Sequence, residues 1–322
     1  MAREFEDGKS RWCIVIADDH APEWVAYGAL ELRPAPVQYS SLGGSATLLR
    51  LALQRAASIA PTSQILVTAL EEYRNQWEPI LWSVRPEMRF VSDKCTYQLL
   101  TSAAAILSIA RVSPFSIVTI LPARCYVGHD WILRRALRRV ASELPHVREG
   151  VATLGMVDID DGVDEDYIVV GRTRTRRGLA VDGIARRPTA WVARHLRRQG
   201  ALVSSGIMIG YAGVFAAHIS KSWPGISEKL TTLVDTAAEA KLECGIPKDW
   251  QHRMPTSVLK SLRWQAPTFP QQVFPVYECG WSSLKSQYAV ARIAEFVTNR
   301  PERCQPLLIR QTTSDHGEPI AS

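Results

Sequence analysis

The strongest constraint on the fold is an alternation of short apolar runs with amphipathic segments. The runs CIVIA (13–17), QILVTAL (64–70), FSIVTILPA (115–123) and VATLGMV (151–157) have the length and the apolar content of strands that are covered on both faces. Between them, segments such as DWILRRALRRVASEL (130–144) repeat apolar residues at helical spacing. This alternation predicts an α/β fold with a doubly wound, mostly parallel sheet.

The composition of the chain changes after residue 157. An acidic turn, an arginine-rich segment and more tryptophan and proline follow, which predicts a mixed α+β carboxy-terminal portion. We expect one domain over residues 11–298, with halves at about 11–157 and 158–298. Residues 1–10 and 299–322 are expected to be flexible termini.

Composition limits the classes of protein to consider. The 322 residues are 46% hydrophobic, yet no stretch reaches the roughly 20 apolar residues of a membrane span. The amino terminus does not have a signal-peptide pattern, so we expect a cytoplasmic protein without a membrane partner. The six cysteines include no pair at C-x-x-C spacing, which favours buried free thiols over a zinc or redox motif.

Six stretches of the chain carry motifs that recur together in one enzyme family. They are ALELRPAPVQYSSLGGSATLLRLALQRA (29–56), TALEEYRNQW (68–77), TILPARCYVGHDWILRRALRRV (119–140), LGMVDIDDGVDEDYIVVG (154–171), VDGIARRPTAWVARHLRRQGALVSSGIMIGYAGVF (181–215) and YECGWSSLKSQ (277–287). In order and spacing they resemble the sugar-phosphate nucleotidyltransferases, and among them the mannose-1-phosphate guanylyltransferases. The resemblance covers roughly residues 10–295 and implies a Rossmann-like, glycosyltransferase-A-like nucleotidyltransferase fold.

The resemblance also implies a reaction, but the phosphate loop is altered. In the family a sugar-phosphate oxygen attacks the α-phosphorus of a nucleoside triphosphate, and a glycine-rich loop A-G-G-x-G-T-R holds the phosphates through its amides. In this register Asp18 and Asp19 replace the first two glycines, Pro22 removes an amide donor, and Glu23 replaces the arginine. Three carboxylates are then expected to face the phosphates. Like charges 4 Å apart repel by about 1 kcal/mol in water and about 4 kcal/mol at an effective dielectric of 20.

Other positions of the family site are replaced as well. Val37 stands at the position of a lysine, and Arg124 and Ser283 stand at the positions of the two metal-ligand aspartates. The ligand-binding candidates that remain are His20, Gln38, Arg124, Arg187, Ser204 and Gly206. Asp18 and Asp19 are only weak metal-ligand candidates, so we expect no metal and no other cofactor, with Mg²⁺ only if activity is retained.

These replacements favour a pseudoenzyme over an active guanylyltransferase. The first hypothesis is therefore a catalytically degenerate protein that acts as a binding, regulatory or assembly partner in sugar-nucleotide metabolism. Its partners would be a sugar nucleotide or nucleotide, and an active paralogue or further copies of itself. No residue is assigned as catalytic under this hypothesis.

Two alternatives stay open. The first is an active, remodelled nucleotidyltransferase in which Arg124, Arg186 and Arg187 supply the charge of the metal, and Asp18, Asp19 and His20 form a new metal or acid/base cluster. The second is nucleic-acid binding through the arginine-rich segment 171–200. We favour nucleic acid less, because a solvated basic face, or one paired with the acidic stretch DIDDGVDED (158–166), explains the same charge.

Overall fold

The computed structural model describes residues 10–18, 36–42, 46–93, 98–147, 150–157, 165–175, 178–248, 250 and 272–298. Its strands are β1 (Arg11–Ile16), β2 (Ile65–Leu70), β3 (Arg89–Ser92), β4 (Ile117–Pro122), β5 (Tyr126–Val127), β6 (Val151–Met156), β7 (Tyr167–Thr175), β8 (Gly178–Ala185), β9 (Leu202–Tyr211), β10 (Cys244–Gly245), β11 (Gln272–Val276) and β12 (Trp281–Ser282). Its α-helices are α1 (Leu48–Ala57), α2 (Arg74–Trp77), α3 (Gln98–Val112), α4 (Asp130–Glu143), α5 (Ala190–Arg198), α6 (Ala212–Ser222), α7 (Pro224–Ala240) and α8 (Gln287–Thr298). The termini predicted to be flexible lie outside these residues, apart from Ser10.

The main sheet has the strand order β10-β3-β2-β1-β4-β9-β6-β11-β8-β7. Pairing is parallel from β10 to β4 and again between β6 and β11, and antiparallel at the other junctions. The α/β, Rossmann-like prediction is therefore confirmed. The expectation of a mostly parallel sheet holds only for the half that contains β1, because β7 and β8 form a hairpin and β9 runs antiparallel to both of its neighbours.

Helices cover both faces of the β1 half, as its apolar strands predict. Cys13 and Val15 pack into a core that includes residues of α1 and α4, whereas Ile14 and Ile16 pack into a second core that includes residues of α3, α6 and α7. Each of these four side chains is at most 3% exposed. In the part of the chain that the structure describes, no helix combines the length and the apolarity needed to cross a bilayer.

Four cysteines lie in the described residues, and all four are buried free thiols, as expected from their spacing: Cys13, Cys125, Cys244 and Cys279. Burial raises the pKa of Cys244 to about 12 and the pKa of Cys279 to about 11. Burial likewise raises the pKa values of Cys13 and Cys125. These thiols are thus held protonated at neutral pH and act as small apolar core residues.

Candidate functional site

Asp18, Arg124, Ser204 and Gly206, four of the residues selected from the sequence, lie at one edge of the main sheet, where β1 and β4 end and β9 begins. The amide of Ala123 donates to the carbonyl of Ile16 at 2.8 Å, which ties the end of β4 to the end of β1. Gly206 of β9 has a φ of +73° and lies close to Pro122 of β4. A Cβ built on Gly206 would be 3.2 Å from Cγ of Pro122. Glycine is favoured there by both the positive φ and the close approach. Ligands of open α/β sheets bind outside this edge.

The structure places Asp18 differently from the sequence expectation. Its side chain is fully buried, and its two carboxyl oxygens accept hydrogen bonds from Thr68 Oγ1 and Thr101 Oγ1, each at 2.5 Å. Thr68 belongs to β2 and Thr101 belongs to α3. The carboxyl group therefore holds the end of β1 to two neighbouring elements and does not face a phosphate site. Asp19, His20 and Glu23 lie outside the described residues.

All three residues of the short 3₁₀ turn Val37–Tyr39 are also buried in the core. Val37 packs in an apolar cluster with Leu48 and residues of α8, so the position of the family lysine is occupied by a core side chain. The Gln38 amide and the Tyr39 hydroxyl both donate to the carbonyl of Ala17, at 3.0 and 2.8 Å. Gln38, a ligand-binding candidate from the sequence, is fully buried and fixes the end of β1.

Arg124 follows β4 directly, at the position of a metal-ligand aspartate in the family. Arg124 is 9% exposed, and its loop is held by an ion pair in which one partner, Arg55, is buried. Arg55 of α1 donates through Nε to Asp130 Oδ1 at 2.6 Å and through Nη1 to the carbonyl of Cys125 at 3.4 Å. The loop that carries Arg124 is thus fixed between α1 and the first turn of α4.

Ser283 stands at the second metal-ligand position and lies beside the Arg124 loop. The antiparallel pairing of β12 with β5 joins Ser282 to Tyr126, so Ser283 lies next to Cys125. Its hydroxyl donates to Glu165 Oε1, and the ammonium group of Lys285 binds Glu165 Oε2 at 2.9 Å. Glu165 is 7% exposed. Its carboxylate is therefore charge-balanced by Lys285 and hydrogen-bonded by Ser283.

A second group of sequence candidates lies where β9 begins. The amide of Ser204 donates to the carbonyl of Asp166 at 2.8 Å, and the amide of Arg187 donates to Asp166 Oδ1 at 3.1 Å. Asp166 thus holds Ser204 and Arg187 on either side of the start of β7. Ser204 is buried, whereas the Arg187 side chain is exposed and its backbone has φ of +38°.

The residues that the structure describes at this edge do not fit a magnesium site. Mg²⁺ is bound in proteins through carboxylates, water and substrate phosphates. Arg124 and Ser283 occupy the two expected ligand positions, Asp18 is bound by two threonines, and Glu165 is paired with Lys285. Within the described ranges no group of three or more histidine, cysteine, aspartate or glutamate side chains is arranged to hold a metal ion.

Helix α5 carries a basic surface. Trp191, Arg194, His195 and Arg198 follow each other at i, i+3, i+4 and i+7, which places them on one face of the helix. The Trp191 side chain is 70% exposed and stacks on His195 with ring centroids 5.9 Å apart and an interplanar angle of 3°. Arg194, Arg197 and Arg198 line an open concavity of about 370 Å³. The sequence has no acidic residue between Asp182 and Glu228.

Comparison with known proteins gives matches in structure but not in sequence. No family model matches the chain, and the curated proteins give no match. Among solved structures, a mannose-1-phosphate geranyltransferase from Thermus thermophilus has a TM-score of 0.63 and 20% identity, over 88% of this chain and 79% of that chain. A mannose-6-phosphate isomerase from Helicobacter pylori has a TM-score of 0.59 and 15% identity, over 85% and 99%.

A third structure, an inositol-1-phosphate CTP transferase from T. maritima, has a TM-score of 0.51 and 11% identity, over 92% of this chain and 98% of that chain. The fold is that of the sugar-phosphate nucleotidyltransferases. The resemblance inferred from the sequence motifs is therefore confirmed at the level of the fold.

Within this nucleotidyltransferase fold, Glu165 and Lys285 are the site residues that sequence reasoning missed. Glu165 was part of an acidic stretch that is typical of a solvated turn, and Lys285 lies two residues beyond a replaced motif position. The order of elements could have pointed to this pair. Glu165 lies shortly before β7 and Lys285 shortly after β12, so both lie near the carboxyl edge of the sheet. Their pairing depends on tertiary contacts that no local pattern contains.

Proposed function

We propose that this chain binds a nucleotide or sugar nucleotide at the carboxyl edge of the sheet and does not carry out magnesium-dependent nucleotidyl transfer. The observation that carries the proposal is the pair of replacements at the metal-ligand positions, where Arg124 and the Ser283–Glu165–Lys285 cluster lie side by side. Arg124 and the exposed Arg187 supply positive charge for phosphate groups, whereas the charge of Lys285 is balanced by Glu165. The ligand class is supported by the names of two structural neighbours, which refer to mannose 1-phosphate and to inositol 1-phosphate with CTP.

Because arginine side chains would supply the positive charge, nucleotide binding should not depend on magnesium. We expect GDP-mannose or GTP to raise the melting temperature equally with Mg²⁺ and with EDTA, because ligand that binds only the folded state stabilises it by mass action. Arg124→Gln should weaken binding at least tenfold, since a hydrogen bond to a charged group contributes about 1.5–3 kcal/mol. Calorimetry with each ligand, and with mannose 1-phosphate, measures both effects.

Arg85→Gln is the matched control for Arg124→Gln. Arg85 precedes β3, at the opposite edge of the sheet, and pairs with Glu87 at 3.0 Å. This variant should bind as the unaltered protein does. Pyrophosphate release from a nucleoside triphosphate and a sugar 1-phosphate would contradict the proposal and favour the remodelled enzyme with Arg124, Arg186 and Arg187 in place of metal charge. A role as partner of an active paralogue or of further copies in the cytoplasm belongs to the same proposal.

The α5 surface supports nucleic-acid binding as a second candidate function. Exposed tryptophan beside arginines suits single strands, in which bases stack on aromatic rings and phosphates contact cations. We expect the affinity for a single-stranded oligonucleotide to fall with salt at a slope of about −0.7 for each phosphate contacted. Arg194→Gln with Arg198→Gln should make that slope shallower by about 1.4.

Tryptophan replacement separates stacking from charge on this surface. Trp191→Ala should weaken oligonucleotide binding by about 1–3 kcal/mol, the contribution of one stacked base. Trp82→Ala is the control, because Trp82 is 78% exposed and lies elsewhere on the chain. Fluorescence anisotropy titrations at several salt concentrations measure both variants. Equal losses in the two tryptophan variants, or no salt dependence, would eliminate this function.

A further inference from the structure

A groove of about 620 Å³ lies between α4 and the strands β11 and β8, and none of its lining residues belongs to the candidate site described above. Its apolar lining comes from both sides: Ile132, Ala136, Val140, Leu179, Phe274 and Val276. Tyr277, which is 57% exposed, also lines it. Small-molecule sites in proteins are concave, mostly apolar and of about 300–1,000 Å³, with a few polar groups that orient the ligand. The groove meets this description in volume and in lining.

Two arginines supply the charge of the groove. Arg135 and Arg139 are spaced i, i+4 on α4, so their side chains lie one above the other on the face that lines the groove. Both are exposed, and neither forms an ion pair with a carboxylate of the described residues. The sequence of α4 contains no acidic residue between Asp130 and Glu143.

Gly178, the first residue of β8, packs directly against the Phe274 ring in the wall of the groove that faces α4. Gly178 has φ of +120°, and a Cβ built on it would lie 3.1 Å from Cε2 of Phe274. A residue with a side chain at this position would be strained and would press on the Phe274 ring. The absence of a side chain at Gly178 thus leaves the aromatic ring as part of the groove wall.

We propose that this groove binds a phosphate monoester that carries an apolar chain. The chain would lie against Phe274, Val276 and Ile132, and the phosphate would be held between Arg135 and Arg139. Guanidinium groups bind phosphate through paired hydrogen bonds, and two guanidinium groups one helical turn apart can share its oxygens. The groove therefore combines an apolar floor with a doubly cationic wall, which is complementary to an amphipathic anion and to neither a neutral lipid nor free phosphate alone.

The experiment is a calorimetric titration of the full chain with octyl phosphate, with octyl glucoside as an uncharged compound that carries the same chain, and with inorganic phosphate as the anion without the chain. We expect one molecule of octyl phosphate to bind per chain, at least tenfold more tightly than octyl glucoside or inorganic phosphate. Arg135→Gln with Arg139→Gln should weaken octyl phosphate binding at least tenfold. The matched control, Arg134→Gln with Arg138→Gln, makes the same charge change on the same helix at residues that do not line the groove, and should change the affinity less than twofold.

A third variant tests the volume of the groove. Ala136→Phe should abolish octyl phosphate binding while thermal melting shows that the protein stays folded. Equal losses in the two arginine pairs, unchanged binding in Ala136→Phe, or no binding at all would overturn the proposal. So would binding to phosphatidic acid vesicles without binding to monomeric octyl phosphate, which would indicate a charged surface only. A concentration-dependent dimer that Arg135→Gln with Arg139→Gln dissociates would overturn it too and assign the groove to a second copy of the chain.

Discussion

Asp18→Ala should lower the free energy of unfolding by about 3 kcal/mol. The change removes the acceptor of two hydrogen bonds in a fully buried site and leaves the hydroxyl groups of Thr68 and Thr101 to find new partners. Each buried polar group left without a partner costs about 1–3 kcal/mol. Urea denaturation measures the difference, and Asp18→Asn should lose less because its amide oxygen can still accept one of the two bonds.

The same position distinguishes a core role from a phosphate-loop role. Asp18→Gly restores the glycine that the family has there. If Asp18 faced a phosphate, this variant would keep its stability and bind nucleotide more tightly; the structure instead predicts a loss of stability similar to that of Asp18→Ala. Adding Thr68→Val and Thr101→Val to Asp18→Ala removes the stranded hydroxyl groups, so the triple variant should be more stable than the sum of its single changes predicts. If the stability losses of the three single variants simply added up in the triple variant, the three side chains would not form a hydrogen-bonded cluster.

The parallel part of the fold was predictable from local patterns because burial on both faces leaves a continuous apolar run. Strands β1, β2, β4 and β6 carry that signal, and all four lie in the main sheet. The direction of β9 was not predictable in this way. Its sequence LVSSGIMIGY is as apolar as that of a parallel strand, and its antiparallel insertion between β4 and β6 depends on the hairpin that precedes it.

The sequence predicted where strands end but not the orientation of the side chains at those ends. The strand ends read from the sequence include Ala17 and Arg124, and in the structure β1 and β4 end beside each other; the roles of the selected side chains stay a prediction. The sequence did not show that Asp18 turns into the core, since a residue after a strand can point to either side. Val37 is similar: its replacement of a lysine looked like loss of a site residue, and the structure adds that it packs in an apolar cluster.

The ion pair beneath the Arg124 loop should show a marked asymmetry between its two partners. Arg55 is 2% exposed, whereas Asp130 is 37% exposed. Removing Asp130 strands a buried guanidinium group, so Asp130→Ala should cost about 3–5 kcal/mol in the free energy of unfolding. Removing Arg55 leaves a carboxylate that water can reach, so Arg55→Leu should cost less than Asp130→Ala does. The more exposed partner is thus the more costly one to remove, and denaturant titrations of both variants test this order.

The surface pair of Arg111 and Asp235 provides the control for this prediction. Its side chains are 54% and 32% exposed, and exposed pairs contribute about 0–1 kcal/mol, so Asp235→Ala should change stability little. Combining Arg55→Leu with Asp130→Ala removes both charges, and the double variant should be more stable than Asp130→Ala alone. A double variant less stable than Asp130→Ala would mean that Arg55 acts mainly by packing. Because Arg55 also donates to the carbonyl of Cys125, both single variants should loosen the Arg124 loop and weaken nucleotide binding even where the protein remains folded.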